Sequence, residues 1–469
     1  MRMPRAVFAA ALSLVPCLCA GDLHTGAARP ADWVPAGWPW ADAKSLELLE
    51  GSPINCLLTA AYTPDFLRAA RERGVAVLAT FAPGGDTLAA ARQAAAAGIS
   101  GLVLEGEFAQ GTAETVRRVV NGALVIELTA RNRMVLGSSA PVIGTYQAVW
   151  PGISPDADTR QAGPTGSVWI NTNTGFIRAV RAWGDNALWI ANQPPAKAAI
   201  TGAQYLQAIA DASISGARWV VALDADFASR LARRDDPALR DWKRMGELIG
   251  YFERHPEWRA MREYGKLALV QDPAKGGLVS GGILDMIAVK HTPVRPIPRQ
   301  RLTPESLEGA TMAVNVDGDS LTADQKEVLR AFTRSGGTLL TGPPGWQDQS
   351  PAGDRITLEK AELDRLNDIW REVNSMVGRR NLGVRLFNVS SMLSNALVSS
   401  DGKTGIVHLV NYSDYPVENV TLYFLGDYRR ATLIAPDGTE QALKIYSDDE
   451  GNGVDIAKVG VCATVRLEQ

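Results

Sequence analysis

The chain has 469 residues, of which 46% are apolar and 21% are charged. At about 150 residues per domain, this length predicts roughly three domains, each with enough apolar side chains for a packed core. Its 48 basic and 51 acidic residues give a net charge of −3, which excludes a nucleic-acid binder because no domain-scale basic face is available.

Residues 1–20 have the pattern of a secretory signal peptide. Arg2 and Arg5 precede the apolar run 6–20, and a small-residue cleavage site ends at Gly21. We therefore expect the chain to be exported to the periplasm or the extracellular space after cleavage.

A lipid anchor at Cys17 or Cys19 is the less favoured alternative. Pro16 or Leu18 would then occupy the position before the cysteine, where a small residue is needed. No later run reaches the roughly 18 apolar residues of a membrane span.

Removal of the leader leaves Cys56 and Cys462, which lie near opposite ends of the chain. Two such distant cysteines do not predict a disulfide framework or a thiolate metal site. The four histidines are scattered without metal-ligand spacing. The sequence therefore predicts no metal and no other cofactor.

Residues 21–53 form a lead-in rich in Trp and Pro with no periodicity. From residue 54, short apolar runs alternate with helical patterns, which predicts a (β/α)8 barrel over residues 54–264. Segments 130–140 and 147–166 show little helical pattern, so we expect one or two outer helices to be missing or short. A doubly wound sheet is the alternative. The predicted strands are Ile54–Ala60, Gly74–Phe81, Gly101–Phe108, Ala123–Thr129, Pro141–Tyr146, Ser167–Asn171, Ala187–Gln193 and Arg218–Asp226.

The rest of the chain predicts two further domains. Residues 265–380 alternate strands and helices, including a helix over Thr322–Ser335, and this predicts a small three-layer α/β domain. Residues 381–469 are dominated by strand patterns and predict a β-sandwich. Within it, Ala442–Tyr446 is expected to be one strand and Gly451–Gly453 a turn. The predicted fold class is therefore α/β, with a (β/α)8 barrel, a small α/β domain and a C-terminal β-sandwich.

Carboxylates follow several barrel strands, at the end where such barrels carry their catalytic groups. Period-two alternation predicts that Glu105, Glu107, Glu127 and Asp224 all point inward. Glu105 and Glu127 lie on adjacent predicted strands, which suits the roughly 5 Å of a retaining pair, whereas Asp224 with Glu127 suits the wider inverting separation. The sequence leaves this choice open.

Amides and aromatic rings are expected at the same rim. Carboxylates, amides and aromatic platforms around one cavity are what glycoside chemistry needs. A strand-end carboxylate also serves often as a helix cap or an ion-pair partner, and Arg131 or Arg133 could neutralise Glu127. The predicted substrate-binding residues are Tyr146, Trp150, Asn171, Asn192, Gln193, Glu107 and Arg131.

The order of leader, barrel, α/β domain and sandwich resembles the three-domain bacterial β-galactosidases and related glycoside hydrolases. Residues Leu321–Gly342 and His408–Phe424 are the stretches most similar to that family. The resemblance implies a middle domain like a class I glutamine amidotransferase that has lost its chemistry. Consistent with this, residues 265–380 contain no cysteine.

The same resemblance implies an acid/base glutamate at the end of strand four and a nucleophile glutamate at the end of strand seven. Glu127 fits the first position, although the preceding Asn of the family is absent. At the second position this chain has Asn192 and Gln193, so the second carboxylate stays open.

We therefore predict an exported glycoside hydrolase-like protein that acts on an oligo- or polysaccharide. Glu127 would be the general acid/base, with Glu105 or Asp224 as the second carboxylate. The alternative is a catalytically silent carbohydrate-binding barrel. The expected partner is a carbohydrate rather than a nucleic acid or a membrane, and a homo-oligomer is left open.

Overall fold

The computed structural model describes residues 28–120, 122–151, 173–195, 200–271, 292–315, 321–341, 371–378, 381–389 and 391–469. The predicted signal peptide and the predicted strand Ser167–Asn171 lie outside these residues. Of the helices within these ranges, none is long and apolar enough to span a membrane.

Eight parallel strands form one sheet in sequential order. The backbone N–H of Gly37 donates to the carbonyl of Val221 at 2.9 Å, which joins the first strand to the chain just beyond the last. The (β/α)8 class is therefore confirmed, and every predicted barrel strand within the described residues is present. The strands are β1 (Pro35–Gly37), β2 (Cys56–Thr59), β3 (Ala76–Phe81), β4 (Gly101–Glu105), β5 (Leu124–Thr129), β6 (Val142–Thr145), β7 (Ala187–Ile190) and β8 (Arg218–Trp219).

Strand β1 lies in the lead-in, where no regular structure was predicted. Its three residues are too few to show an alternation, and they include Pro35 and Gly37, residue types that are depleted in strands. The strand that ends at Glu105 is therefore the fourth of the barrel rather than the third, and the strand that carries Glu127 is the fifth.

Polar caps begin most of the outer helices. Thr63 accepts from the N–H of Phe66, and Thr201 with Gln204 forms the predicted capping box. Between β5 and β6 the chain makes only a single 3-10 turn at Arg131–Arg133, so the expected absence of an outer helix there is confirmed. The helices are α1 (Pro64–Glu72), α2 (Thr87–Ala96), α3 (Thr112–Val119), α4 (Asn173–Arg181), α5 (Gly202–Ile214), α6 (Ala225–Ala232), α7 (Asp236–Glu253) and α8 (Glu257–Ala260).

A second, four-stranded parallel sheet follows the barrel, in the order β11-β10-β12-β13. Its strands and its helix α9 (Ala323–Arg334) match the predicted elements, and Thr322 with Gln325 forms a capping box at the start of the helix. The strands are β10 (Leu267–Gln271), β11 (Val294–Pro298), β12 (Met312–Asn315) and β13 (Thr338–Thr341).

The C-terminal region is the predicted β-sandwich. Its sheets run β14-β17-β21-β20 and β19-β18-β22-β16-β15-β9, where β9 (Arg262–Glu263) comes from the end of the predicted barrel segment. The predicted strand Ala442–Tyr446 is wrong, because the chain changes sheet there between β19 and β20. The predicted turn Gly451–Gly453 is wrong too, since it begins a long strand. The strands are β14 (Val384–Phe387), β15 (Met392–Val398), β16 (Thr404–Asn411), β17 (Val417–Phe424), β18 (Arg430–Ile434), β19 (Glu440–Leu443), β20 (Tyr446–Asp448), β21 (Gly451–Val459) and β22 (Cys462–Glu468).

The sandwich packs directly on the barrel. One continuous apolar cluster joins side chains of α5 and α7 to side chains of β15, β16 and β22. Asp211, fully buried in α5, accepts hydrogen bonds from Tyr412 and from Thr174 of α4. Tyr251 in α7 donates to the carbonyl of Ile434 at 3.1 Å. These contacts cover helices α4, α5 and α7 of the barrel.

Candidate active site

The two faces of the barrel sheet are distinguished by what their side chains contact. Val103 and Ile126 pack in the interior cluster, whereas Leu104 and Val125 pack against helices α2 and α3. Paired residues on adjacent parallel strands lie on the same face of a sheet. The strand register therefore assigns each predicted carboxylate to one side.

Glu127 lies on the helix face. It is paired with Leu104, and its Oε1 accepts a hydrogen bond from Nη2 of Arg117 in α3 at 2.6 Å. The Glu127 side chain is 41% exposed on the outer surface of the barrel. The predicted inward orientation of Glu127 is therefore wrong.

The error has a physical cause. The alternating set Leu124, Ile126 and Leu128 was read as the face that packs on helices, but the interior of an eight-stranded barrel is itself filled by bulky apolar side chains. Because apolar side chains fill both the barrel interior and the helix layer, this apolar set alone does not determine which face of the strand points inward.

Asp224 is a structural residue. Its Oδ1 accepts from the N–H of Phe227 at 2.9 Å, and it is the N-cap of α6. Its Oδ2 accepts from the hydroxyl of Tyr205 at 2.9 Å. Strand β8 ends at Trp219, so the chain has already turned into this helix where further strand was predicted. The structure thus gives Asp224 a capping role in place of the predicted catalytic one, with one oxygen at the start of α6 and the other on Tyr205 of α5.

Trp150 is buried, with only 3% of its surface exposed. Its indole N–H donates to the carbonyl of Gln193 at 3.2 Å, and its ring packs edge-on against Tyr205 and Trp219. An indole ring that is buried among other rings has no exposed face on which a sugar could stack. The predicted sugar-binding role of Trp150 is therefore wrong, and the residue belongs to the packing below the loops.

Arg131 and Asn192 brace the loops around the barrel mouth. Arg131 donates through its backbone N–H and its Nε to Gln147, and through Nη2 to Oδ1 of Asn173 at 3.0 Å. Asn192 donates to the carbonyl of Ala148 at 2.6 Å. Both residues tie the chain after β5, β6 and β7 together, and the predicted ligand Asn171 lies outside the described residues.

Glu105 faces the interior, as predicted. It is paired with Leu128, which packs in the interior cluster, and it ends β4 at the mouth of the barrel. The side chain of Gln193, which follows β7, lies beside its carboxyl group and lowers its pKa. The structure thus brings together the polar groups at the ends of the fourth and seventh strands.

Glu107 lies two residues further along the same chain. Its Oε1 accepts from the hydroxyl of Tyr146 at 2.9 Å, and its Oε2 forms an ion pair with Arg133. Tyr146 itself packs against the interior cluster. We name Glu105, Glu107, Arg133, Tyr146 and Gln193 the mouth cluster.

The pKa values of the two carboxyl groups of the mouth cluster are shifted in opposite directions. Burial raises the pKa of Glu105 above its ordinary value, although the side chain of Gln193 lowers it in part. For Glu107, partial burial is outweighed by the hydrogen bonds from Arg133 and Tyr146, which hold its pKa below the ordinary value. Of the two carboxyl groups, Glu105 therefore holds its proton to the higher pH.

Arg133 is the member of the cluster that sequence reasoning missed as a site residue. It was considered only as a partner of Glu127, but its guanidinium reaches Glu107 from the 3-10 turn after β5. The absence of a helical pattern over 130–140 was the available signal, because such a segment stays at the rim of the mouth. No trio of His, Cys, Asp or Glu in the described ranges is placed to hold a metal ion.

A separate cleft of about 1000 Å³ lies at the junction of the barrel, the second sheet and the sandwich. Arg178 there donates to both carboxylate oxygens of Glu263 and to the carbonyl of Val294, and Arg181 donates to the carbonyl of Gly216. These charges hold the three regions together. The cleft lies beside the chain that enters β8, at the end of the barrel opposite Glu105.

No protein-family model matches the sequence, and no curated protein is similar to it in sequence. Solved structures, in contrast, match nearly the whole fold. Alpha-L-fucosidase isoenzyme 2 from Paenibacillus thiaminolyticus superimposes with a TM-score of 0.59 at 10% identity, over 93% of this chain and 99% of the fucosidase. A GH42 beta-galactosidase from G. stearothermophilus gives a TM-score of 0.57 at 9% identity, over 94% and 99% of the two chains. A beta-galactosidase from Rahnella sp. R3 gives 0.54 at 10% identity, over 93% and 98%. At such identities the likeness is one of fold.

Proposed function

We propose that the chain is a glycoside hydrolase whose mouth cluster cleaves an O-glycosidic bond. The observation that carries this proposal is the pair Glu105 and Glu107, whose environments drive their pKa values apart. Pairs of carboxyl groups separated in this way divide into an acid and a base. The fold neighbours, whose names are those of a fucosidase and of beta-galactosidases, support the same reaction class.

In this mechanism Glu105 is the general acid. A carboxyl group whose pKa is raised by burial is the better proton donor to the leaving glycosidic oxygen. Its place at the end of β4 also agrees with the strand-four acid/base position that the resemblance to β-galactosidases implies. The corrected strand count moves that position from Glu127 to Glu105.

Glu107 is the second carboxylate. Arg133 and Tyr146 donate hydrogen bonds to it, so it stays ionised and can either attack the anomeric carbon or take a proton from water. Gln193 and Tyr146 would bind sugar hydroxyls beside the reacting bond. The substrate is an oligo- or polysaccharide, reached after export.

A panel of aryl glycosides tests this function. We expect hydrolysis of at least one member, a loss of about 10³-fold in kcat when Glu105 is changed to Gln, and a similar loss for Glu107→Gln. The matched control is Glu114→Gln, an exposed glutamate of α3 that should keep full activity. Full activity in both mouth variants would exclude this mechanism.

The second candidate is a catalytically silent carbohydrate-binding barrel. Gln193 favours it, because an amide stands at the strand-seven end where the resemblance implies a nucleophile glutamate. Absence of hydrolysis across the panel, combined with saturable binding of an oligosaccharide that Glu105→Gln preserves and Tyr146→Ala weakens, would establish this alternative.

A further inference from the structure

The outer face of the sandwich sheet β14-β17-β21-β20 carries a row of aromatic side chains. Along β14 and β17, Leu386 and Leu422 face the sandwich core, so the residues that alternate with them point outward. Those outward residues include Phe387 and Tyr423, and Tyr446 on β20 continues the row. We name Phe387, Tyr423 and Tyr446 the aromatic face.

The rings of the aromatic face lie close together at steep angles. The centroids of Phe387 and Tyr423 are 5.5 Å apart with 79° between the ring planes. Those of Tyr423 and Tyr446 are 6.0 Å apart with 89° between the planes. The middle ring is therefore nearly perpendicular to both neighbours, which gives a ridged surface rather than a flat one. Phe387, the last residue of β14, is 39% exposed.

Gly453 of β21 makes this arrangement possible. A Cβ added there would lie 3.0 Å from the ring of Tyr446 and 3.1 Å from that of Tyr423. Because glycine has no side chain, both rings can lie over this strand and cover it. The sequence pattern predicted a turn at this glycine. In the structure it lies in β21, in contact with the rings of the two tyrosines.

Exposed carboxylates fix the two tyrosine rings. The hydroxyl of Tyr423 donates to Oδ2 of Asp448 at 2.6 Å, and that of Tyr446 donates to Oδ1 of Asp455 at 3.1 Å. An ionised carboxylate has about four acceptor sites, so each keeps capacity for further donors. The guanidinium of Arg385 lies 5.3 Å from the centroid of the Tyr423 ring. The rings are thus held in place before any ligand arrives, which lowers the entropy cost of binding.

We propose that the aromatic face binds a neutral polysaccharide chain. The negative π-faces of the rings attract the C–H groups on the apolar side of a pyranose ring, while Asp448 and Asp455 accept hydrogen bonds from its hydroxyls. A protein partner would need a larger continuous apolar patch than three rings flanked by carboxylates. The saccharide is therefore the occupant that fits both kinds of group.

This binding face is independent of the mouth cluster. It lies on the sandwich, on the sheet that does not pack against the barrel helices. Its role would be to retain a long substrate chain near the protein, whether or not the barrel hydrolyses it.

Native gels cast with xylan, galactan, galactomannan or a mixed-linkage β-glucan test the proposal with the full chain. We expect at least one polysaccharide to retard the protein, and Tyr423→Ala to bind it about tenfold more weakly. The matched control is Tyr415→Ala, since Tyr415 is a 68% exposed tyrosine of the same domain outside the aromatic face. This control should migrate like the unchanged protein.

Gly453→Ala provides a second variant that keeps every aromatic ring. Its methyl group would displace both tyrosines, and we expect weaker retardation with an unchanged far-UV spectrum. Hydrolysis of a short aryl glycoside, too small to reach both sites, should be unaffected by either variant. A failed glycosidase assay thus leaves this proposal intact.

Three results would overturn the proposal. The first is no retardation by any polysaccharide of the panel. The second is equal retardation of the Tyr423→Ala and unchanged proteins, which would place binding at the barrel mouth. The third is a fall in molecular mass in solution caused by Tyr423→Ala, which would identify the face as a contact between two copies of the chain.

Discussion

The side chain of Gln193, which follows β7, lies beside the carboxyl group of Glu105 at the end of β4 and lowers its pKa. This contribution acts against the larger effect of burial, which raises the pKa of Glu105. Changing Gln193 to Leu removes the lowering contribution, so Glu105 should keep its proton to higher pH. We expect the basic limb of the pH profile of kcat/KM to move to higher pH.

The control for that measurement is Gln93→Leu, at an exposed glutamine of α2. Its profile should coincide with that of the unchanged protein. A basic limb that stays in place in Gln193→Leu would mean that Glu105 is not the group that titrates there.

Glu127 should be dispensable for activity. It forms a partly exposed ion pair with Arg117 on the outside of the barrel, and such pairs contribute about 1 kcal/mol or less. Glu127→Gln should therefore retain kcat and unfold in urea within about 1 kcal/mol of the unchanged protein. A loss of kcat equal to that of Glu105→Gln would contradict the orientation of β5.

Asp224 should matter for stability rather than for chemistry. Asp224→Ala removes the N-cap of α6 and leaves the buried hydroxyl of Tyr205 without its acceptor, which should cost about 2 kcal/mol in urea unfolding. Asp226→Ala is the matched control, since that side chain is 78% exposed on the first turn of the same helix. The activity per folded molecule should stay the same in both, and a selective loss of kcat in Asp224→Ala would restore its catalytic assignment.

Glu253 should make the protein sensitive to acid. This half-buried carboxylate accepts hydrogen bonds from Arg218 and Arg259, and these hold its pKa below the ordinary value despite burial. A carboxyl group whose pKa is lower in the folded than in the unfolded protein stabilises the fold at pH values above its unfolded pKa. That stabilisation is lost as the pH falls through its folded pKa.

Glu253→Gln leaves two arginines without their partner and should destabilise the protein by about 3 kcal/mol at neutral pH. The urea midpoint of this variant should also fall less steeply with acid. Glu247→Gln, on the exposed side of the same helix α7, should change neither quantity. An unchanged acid slope in Glu253→Gln would contradict the assigned pKa direction.

Much of the architecture could be predicted because each element repeats a local pattern. Strands such as Gly101–Glu105 are short apolar runs, and helices such as Gly202–Ile214 begin at polar caps. Pro35–Gly37 could not be found in this way. Its pairing is determined by strands that lie far away in the sequence, and three residues carry no period.

The direction of a candidate side chain could be predicted only where the face of its neighbours was known. For Glu105, the preceding Leu102 and Leu104 matched the helix layer, and the inward direction was right. For Glu127, the apolar set Leu124, Ile126 and Leu128 fitted the interior as well as the helix layer, and the direction chosen was wrong. The ion pair of Arg133 with Glu107 is a tertiary contact between two loops, which no local pattern encodes.

The short strand β1 also determines how the barrel meets solvent. It pairs with one edge of β2. Its residue Gly37 also donates a hydrogen bond to the chain just beyond β8. A proteolytic fragment that begins after Gly37 would expose the N–H and C=O groups of both edges. Exposed edges of this kind pair readily with other chains. The three residues of β1 thus keep both edges of the barrel sheet paired and protect them from intermolecular β-aggregation.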